Sequence, residues 1–317
     1  MVNPTPQTFN ALQTEIDQII VGQNPLIQQL FIALLSGGHV ILEGVPGVGK
    51  TLLVKVLAQF IQADFRRLQL TPDILPSDIL GTNIFDFQNQ NFTLKPGPIF
   101  TEILLTDEIN RTPPKTQSAL LEAMEEQQVT LDGQTLALPA LFWVVATQNP
   151  LEFEGTYPLP EAQLDRFLFK LVVDYPSRPA AKQMLVNYQG GFRAKRQDIE
   201  ALAGMTTVEE ILAARQAIQT LTVDEKLLDY LLDLVEKTRN HPDLLVGASP
   251  RAMVQWLQAS RARAWLKGRD YVLPDDLKSV AVPLLRHRLI LKPEAQLDGV
   301  KIESVIANLL KQITVPR

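Results

Sequence analysis

A glycine-rich segment near residue 50 has the residue types and spacing of a phosphate-binding loop. Residues 44–51 are GVPGVGKT, between an apolar strand at Val40–Leu42 and a helix with apolar periodicity. The glycines let backbone N–H groups of the loop point at phosphate oxygens, and the following helix directs the positive end of its dipole at the same anion. Lys50 would reach the β- and γ-phosphates, and the Thr51 hydroxyl would bind Mg²⁺. The predicted ATP contacts here are Val45, Pro46, Gly47, Val48, Gly49, Lys50, Thr51 and Leu52.

Two adjacent carboxylates follow an apolar strand 57 positions after Lys50. The strand is Ile103–Thr106, and Asp107 and Glu108 come directly after it. Asp107 suits the outer shell of Mg²⁺, which it would share with Thr51, and Glu108 can polarise a water for attack on the γ-phosphate. Strands often end in Asp or Glu merely as a solvated edge, but the preceding loop favours the catalytic interpretation.

A third strand ends in side-chain amides. The apolar run Leu141–Thr147 leads into Gln148, Asn149 and Pro150. Asn149 could hold the attacking water or a γ-phosphate oxygen. The alternative is that Asn149 only caps the end of the strand, which Pro150 also suits.

The composition excludes several other kinds of site. The chain has 317 residues, 30 Lys and Arg against 35 Asp and Glu, a net charge of −5, three histidines and no cysteine. Disulfides, Cys-ligated metals and thiol catalysis are therefore excluded, and the separated histidines do not predict a metal site. The mild acidity argues against a nucleic-acid partner. No apolar run approaches the roughly 18 residues of a membrane helix, and the first residues lack the features of a signal peptide. We therefore expect a cytoplasmic protein.

Hydrophobic patterning divides the chain into two parts. Short apolar runs alternate with helical patterns up to about residue 177, which predicts an α/β fold with a largely parallel sheet. With the phosphate-binding loop at residues 44–51, this is the pattern of a P-loop NTPase. The predicted buried strands are His39–Leu42, Phe65–Leu70, Ile103–Thr106, Leu141–Thr147 and Phe167–Val173. Amphipathic helices follow. We expect a nucleotide-binding domain over residues 1–177 and a smaller all-α lid over 178–317. The basic cluster Arg286–Arg288 is expected to be solvated.

Two hairpins are predicted inside the first domain, near residues 84–95 and 129–136. The second has Asp132-Gly133 at its turn, a strong hairpin signal. Glu125, Glu126 and Asp132 make this second hairpin and its approach acidic, without Lys or Arg. A surface that tracks nucleic acid is basic, so this pattern favours a protein partner. The alternative is that both hairpins only form contacts between copies of the chain.

Taken together, the motifs resemble those of AAA+ ATPases, most closely the MoxR family, in the branch that also holds magnesium-chelatase ATPase subunits and MCM helicases. The matching motifs are VGQ (21–23), GVPGVGKT (44–51), GPIF (97–100), LLTDEINR (104–111), PPKTQ (113–117), ATQNP (146–150), EAQLDRF (161–167) and GASPRA (247–252). They occur in the expected order over almost the whole chain.

The resemblance implies an αβα core with a five-stranded parallel sheet, a helical lid and assembly into a ring, expected to be a hexamer. ATP and Mg²⁺ are the implied cofactors, with ATP between two subunits. Asn149 matches the sensor 1 residue, Arg166 the arginine finger, Arg251 the sensor 2 arginine, and Val21 and Gly22 the residues that pack against adenine.

The resemblance also implies a function and its alternatives. It is ATP hydrolysis that drives chaperone-like remodelling or maturation of protein complexes, with a von Willebrand factor A domain protein as a partner. The motor subunit of a metal chelatase is the alternative, and a nucleic-acid motor is disfavoured. Three arginine assignments stay open. Arg166 could instead form a local ion pair with Asp165, and Arg111 is a second candidate for the subunit interface. Arg251 could be only a solvated residue of its first helical turn, and the sequence does not decide whether it serves its own or the neighbouring subunit.

Overall fold

The structure is a computed structural model that describes residues 5–88, 90–151, 155–191 and 204–315. Its strands are β1 Val40–Glu43, β2 Phe65–Gln69, β3 Gly81–Asp86, β4 Asn91–Pro96, β5 Ile103–Asp107, β6 Gln128–Leu131, β7 Gln134–Ala137, β8 Trp143–Gln148, β9 Phe169–Val172, β10 Leu244–Val246 and β11 Ile290–Leu291. Its helices are α1 Pro6–Ile19, α2 Asn24–Ser36, α3 Lys50–Phe60, α4 Pro76–Leu80, α5 Pro114–Glu126, α6 Glu161–Leu164, α7 Arg178–Gln189, α8 Val208–Gln219, α9 Glu225–Arg239, α10 Pro250–Leu266, α11 Pro274–Leu285, α12 Pro293–Leu297 and α13 Ile302–Gln312, with a 3₁₀ turn at Ile109–Arg111.

The central sheet has five parallel strands in the order β2-β5-β8-β1-β9. These are the five predicted strands, and their ends differ from the predicted ones by at most two residues. The predicted α/β fold with a five-stranded parallel sheet is confirmed. Because the strands are parallel, the polar residues after β1, β5 and β8 all lie at one edge of the sheet.

Apolar side chains cover both faces of the sheet. Along β1, β5 and β8, successive side chains point to opposite faces, as the pleat of a strand requires. Ile103 and Leu105 belong to a hydrophobic cluster that also contains residues of helices α1 to α3 and of lid helices, while Leu104 belongs to a second cluster with Leu120 and Met124 of α5. Burial on both faces explains why these strands are almost entirely apolar.

The C-terminal part is helical, as predicted, with one addition. Strands β10 and β11 form a short antiparallel ladder, in which Leu244 is opposite Leu291. Such short strands lack a periodic pattern that would predict them. None of the helices in the described ranges is long and apolar enough to span a membrane.

Two hairpins project from the first part of the chain, at the places that the sequence predicts. Strand β3 pairs with β4, and β6 pairs with β7. The turn of the second hairpin has φ +49° at Asp132 and +80° at Gly133, the two positive values that a type I′ turn needs. Asn83 Nδ2 donates to Asp132 Oδ2 at 2.6 Å, which connects the two hairpins.

The expectation of a solvated cluster at Arg286–Arg288 is wrong for two of its three residues. His287 and Arg288 are only 7% and 6% exposed. Burial lowers the pKa of His287 well below its usual range, so the neutral ring donates from Nε2 to the carbonyl oxygen of Phe167 at 2.9 Å. The residues are buried because the end of α11 packs against β9, a tertiary contact that the local sequence does not show.

Arg288 connects the lid to the sheet. Its guanidinium donates to Asp165 Oδ1 at 2.7 Å, to the carbonyl oxygens of Phe167 and Leu168 at 2.6 and 2.9 Å, and, on the lid side, to the carbonyl oxygen of Leu284 at 2.6 Å. Burial lowers the pKa of Arg288 to about 10, which leaves it charged at neutral pH.

We expect Arg288→Met to destabilise the fold strongly. The substitution removes the charged partner of the Asp165 carboxylate and one donor to each of the carbonyls of Phe167, Leu168 and Leu284, and breaking such a buried pair costs about 3–5 kcal/mol. Urea unfolding measures the loss. Arg66→Met is the control, because Arg66 forms an exposed pair with Asp64 at 3.8 Å, and such pairs contribute about 0–1 kcal/mol. Equal losses in the two variants would contradict a joining role for Arg288.

Candidate active site

The glycines of the loop between β1 and α3 are needed for two different reasons. Gly47 and Gly49 have φ of +84° and +87°, in the left-handed region, and no atom lies within 4 Å of the position of a Cβ. Glycine is therefore favoured at these two positions by the backbone conformation, and not by a lack of room for a side chain. At Gly44 a Cβ would lie 2.4 Å from the carbonyl oxygen of Val173. Glycine is needed there because the loop backbone passes close to the residue that follows β9.

Lys50 begins α3 and turns back over the loop. Its Nζ donates to the carbonyl oxygens of Gly44 and Val45, the latter at 3.1 Å. The ammonium group thus lies at the mouth of the loop, where loop N–H groups and the N-terminus of α3 also favour an anion.

A threonine hydroxyl connects the two predicted carboxylates. Thr147 Oγ1, on β8, donates to Asp107 Oδ1 at 3.0 Å and accepts from the backbone N–H of Glu108 at 3.0 Å. Thr147 belongs to the ATQNP motif, but the motif alone predicts no role for it. Its position on the strand next to β5 is what brings it to Asp107 and Glu108.

Strand β2 supplies two further side chains, which were not predicted from the sequence. Arg67 Nε donates to Asp107 Oδ2 at 2.7 Å, and Gln69 Nε2 donates to Glu108 Oε2 at 2.9 Å. Arg111 Nε lies 3.2 Å from the same Glu108 oxygen. The available signal was the two-residue spacing of Arg67 and Gln69, which places both on one face of β2.

These groups surround a cleft of about 380 Å³. Its lining residues are Pro46, Gly47, Gly49, Lys50, Thr51, Leu52, Arg67, Gln69, Asp107, Glu108, Thr147 and Asn149. Nine of the predicted site residues are therefore brought together. Asn149 also fits its alternative interpretation, because its Oδ1 accepts from the N–H of Leu151 at 3.1 Å.

Four predicted ATP contacts lie outside this lining. They are Val21, Gly22, Val45 and Val48. Gly22 belongs to the connection between α1 and α2, has φ +80°, and a Cβ there would lie 2.6 Å from Cβ of Ala180 in the first turn of α7. Gly22 therefore marks a close contact between this connection and α7.

The two predicted arginines lie together in a second cleft, of about 220 Å³. Arg166 Nε is 3.0 Å from Glu125 Oε2, and Arg251 Nη2 donates to Glu125 Oε1. The alternative of an ion pair within the chain holds with a different partner, because Arg166 pairs with Glu125 while Asp165 pairs with Arg288. Arg166 and Arg251 do not line the phosphate-loop cleft of their own chain. Arg111, in contrast, lies beside Glu108.

Glu108 has a strained backbone at the position proposed for the catalytic base. Its φ and ψ are +61° and +51°, the left-handed region that residues with a Cβ seldom adopt. Strain of this kind clusters at functional sites, where the surrounding structure holds it in place. Here the hydrogen bond between the N–H of Glu108 and Thr147 supports it.

We expect the Glu108→Gly variant to be more stable to unfolding than the Glu108→Ala variant. A left-handed conformation costs an L-residue about 1–2 kcal/mol and costs glycine little. Thermal unfolding of Glu108→Gly and Glu108→Ala gives the comparison. The same pair at Glu126, in the last turn of α5, is the control, and there we expect alanine to be at least as stabilising as glycine. A Glu108→Ala variant more stable than Glu108→Gly would contradict the strain.

The comparisons with known proteins agree with this geometry. Residues 39–169 match the ATPase family associated with various cellular activities (AAA), and residues 236–309 match the AAA lid domain. Chaperone MoxR1 of Mycobacterium tuberculosis is 42% identical, covering 96% of this chain and 81% of its own, and the uncharacterized protein YeaC of Bacillus subtilis is 46% identical, covering 95% and 92%. A crystal structure from Cytophaga hutchinsonii, provisionally described as an ATPase, superposes with a TM-score of 0.90 at 39% identity, covering 98% of this chain and 96% of the other. The chain therefore belongs to the MoxR family of AAA ATPases.

Proposed function

We propose that the chain is a Mg²⁺-dependent ATP hydrolase that works as an oligomeric ring, expected to be a hexamer, and remodels or matures protein complexes. The observation that carries the proposal is the convergence of Lys50, Thr51, Asp107 and Glu108 in one cleft. A loop of inward N–H groups, a lysine, a hydroxyl and two carboxylates are the groups that hydrolysis of ATP requires.

The donor set of the cleft fits Mg²⁺ and a triphosphate. Mg²⁺ prefers oxygen ligands and keeps several of its waters, so the Thr51 hydroxyl would bind it directly and Asp107 through water. Bound Mg²⁺ would neutralise charge on the β- and γ-phosphates. Thr147 and Arg67 each donate to one oxygen of Asp107, which fixes the orientation of that carboxylate.

Glu108 would abstract the proton of the attacking water. Gln69 and Arg111 both contact its Oε2, which holds the carboxylate in the cleft. Asn149 lines the same cleft and would position the water or a γ-phosphate oxygen. Val21 and Gly22 stay predicted adenine contacts.

The place of Arg166 and Arg251 supports action between subunits. Both lie in the second cleft, apart from the phosphate loop of their own chain. We propose that they reach the γ-phosphate of ATP bound by the neighbouring subunit. A guanidinium supplied in this way is worth about 10³–10⁵ in rate.

The proposed protein client rests on two observations. A relative is named as a chaperone, and the second hairpin has Asp132 at its turn, which disfavours nucleic acid. A von Willebrand factor A domain protein as partner and a cytoplasmic location stay predictions from the sequence. Proteins that co-purify with a Glu108→Gln variant would identify the client, and chelatase subunits among them would favour the alternative function.

We expect Glu108→Gln to abolish ATP turnover and to retain ATP binding. The amide cannot accept the proton of the water, and loss of a general base costs about 10²–10⁴ in rate. Phosphate release measures turnover, and a fluorescent ATP analogue measures binding. Glu126→Gln is the control, because Glu126 is an exposed carboxylate at the end of α5, and this variant should hydrolyse ATP like the wild type. Unchanged turnover of Glu108→Gln would refute its role as the base.

We expect Arg166→Ala and Lys50→Ala chains to be inactive separately and active when mixed. In a mixed ring, the Lys50→Ala chain supplies an intact Arg166 to the ATP that the Arg166→Ala chain binds. Phosphate release from each variant alone and from mixtures at several ratios tests this. If mixtures stay as inactive as the separate variants, Arg166 does not act between subunits.

A further inference from the structure

The second cleft contains one carboxylate between two guanidiniums from different parts of the chain. Glu125 belongs to α5, Arg166 follows α6, and Arg251 is in the first turn of the lid helix α10. Each oxygen of Glu125 contacts one arginine. The three side chains are between 30% and 39% exposed, so this is an open cleft and not a buried ion cluster.

Neither helix favours the charge that it carries at this point. Glu125 is the penultimate residue of α5, near the negative end of the helix dipole, and Arg251 is the second residue of α10, near the positive end. Both placements are locally unfavourable. The ion pair between Glu125 and Arg251 offsets both unfavourable placements. We therefore attribute the presence of these two charges to their pairing and not to their helices.

The contact geometry leaves the arginines able to bind a further anion. Arg166 is nearest to Glu125 at Nε, 3.0 Å from Oε2, rather than at its terminal nitrogens. Two guanidiniums in one cleft repel each other, and the shared carboxylate offsets that repulsion. It therefore allows both arginines to point into the same cleft.

We propose that Glu125 is a positioning residue that holds Arg166 and Arg251 together so that both reach the same γ-phosphate of the neighbouring subunit. The proposal rests on the proposed function, because it assigns a role to the arginines of the ring interface. Glu125 itself does not touch ATP. It acts through the two guanidiniums, whose separation it fixes.

The test is the kinetics of Glu125→Gln, a substitution that keeps the size of the side chain and removes its charge. We expect kcat to fall by about 10²-fold, because displacing a catalytic group by about 1 Å costs a factor of that size. KM for ATP should be unchanged, because the phosphate-loop cleft is intact. Glu125→Asp, which keeps the charge, should recover part of the lost rate. Glu126→Gln is the matched control and should behave like the wild type.

Mixing experiments separate positioning from a structural role. Glu125→Gln chains have an intact phosphate loop, and Lys50→Ala chains have an intact arginine cleft, so their mixture should regain activity. A structural defect would not be rescued in this way. The proposal is overturned if these mixtures stay inactive while Arg166→Ala and Lys50→Ala mixtures recover.

Two other outcomes would also overturn it. Wild-type turnover of Glu125→Gln, with Arg166→Ala and Arg251→Ala inactive, would show that the arginines need no positioning carboxylate. Increased turnover would show that Glu125 withholds the arginines instead of presenting them. Absence of ATP hydrolysis by the wild-type chain would overturn the proposed function itself, and this inference with it.

Discussion

The hydroxyl of Thr147 is the contact on which the geometry of the phosphate-loop cleft depends. It fixes Asp107 through one hydrogen bond and the backbone of Glu108 through another. Both bonds require β5 and β8 to be neighbours in one parallel register, in which Thr106 is opposite Ala146. A slip of one residue would turn every side chain of a strand to the other face. The apolar packing on both faces of the sheet therefore also fixes the polar site at its edge.

The second cleft depends on how the lid joins the core. Asp165, next to Arg166, accepts hydrogen bonds from Arg288 and from the hydroxyl of Ser249, at 2.7 and 3.1 Å. Ser249 is the N-cap of α10 and accepts from the N–H of Ala252 at 3.0 Å. Because Arg251 is two residues beyond Ser249, this junction places Arg251 beside Arg166. The contacts that join the lid to the core therefore also set the positions of the two arginines.

Local patterns predicted the parts of the fold that depend on consecutive residues. The GVPGVGKT loop, the strand that ends in Asp107 and the Asp-Gly turn are each specified by a few neighbouring residues, and each lies where it was predicted. Arg67, Gln69 and Thr147 were missed because their role comes from the order of strands in the sheet. Arg288 was misjudged because its six acceptors are distant in sequence or belong to the backbone. The pairing of Glu125 with both arginines is likewise a contact between distant segments.

Helix α5 has a further consequence for a ring assembled as proposed. Its first turn follows the 3₁₀ turn that carries Arg111, beside Glu108, and its last turn carries Glu125. A helix of 13 residues is a rod of about 20 Å. At one end, the helix contacts the turn beside the proposed base through the hydrogen bond from Gln117 to the carbonyl oxygen of Ile109. At the other end, it contacts the arginines proposed to serve the next subunit. In such a ring, a conformational change at one ATP site would displace α5. That displacement would move the arginines at the ATP site of the next subunit.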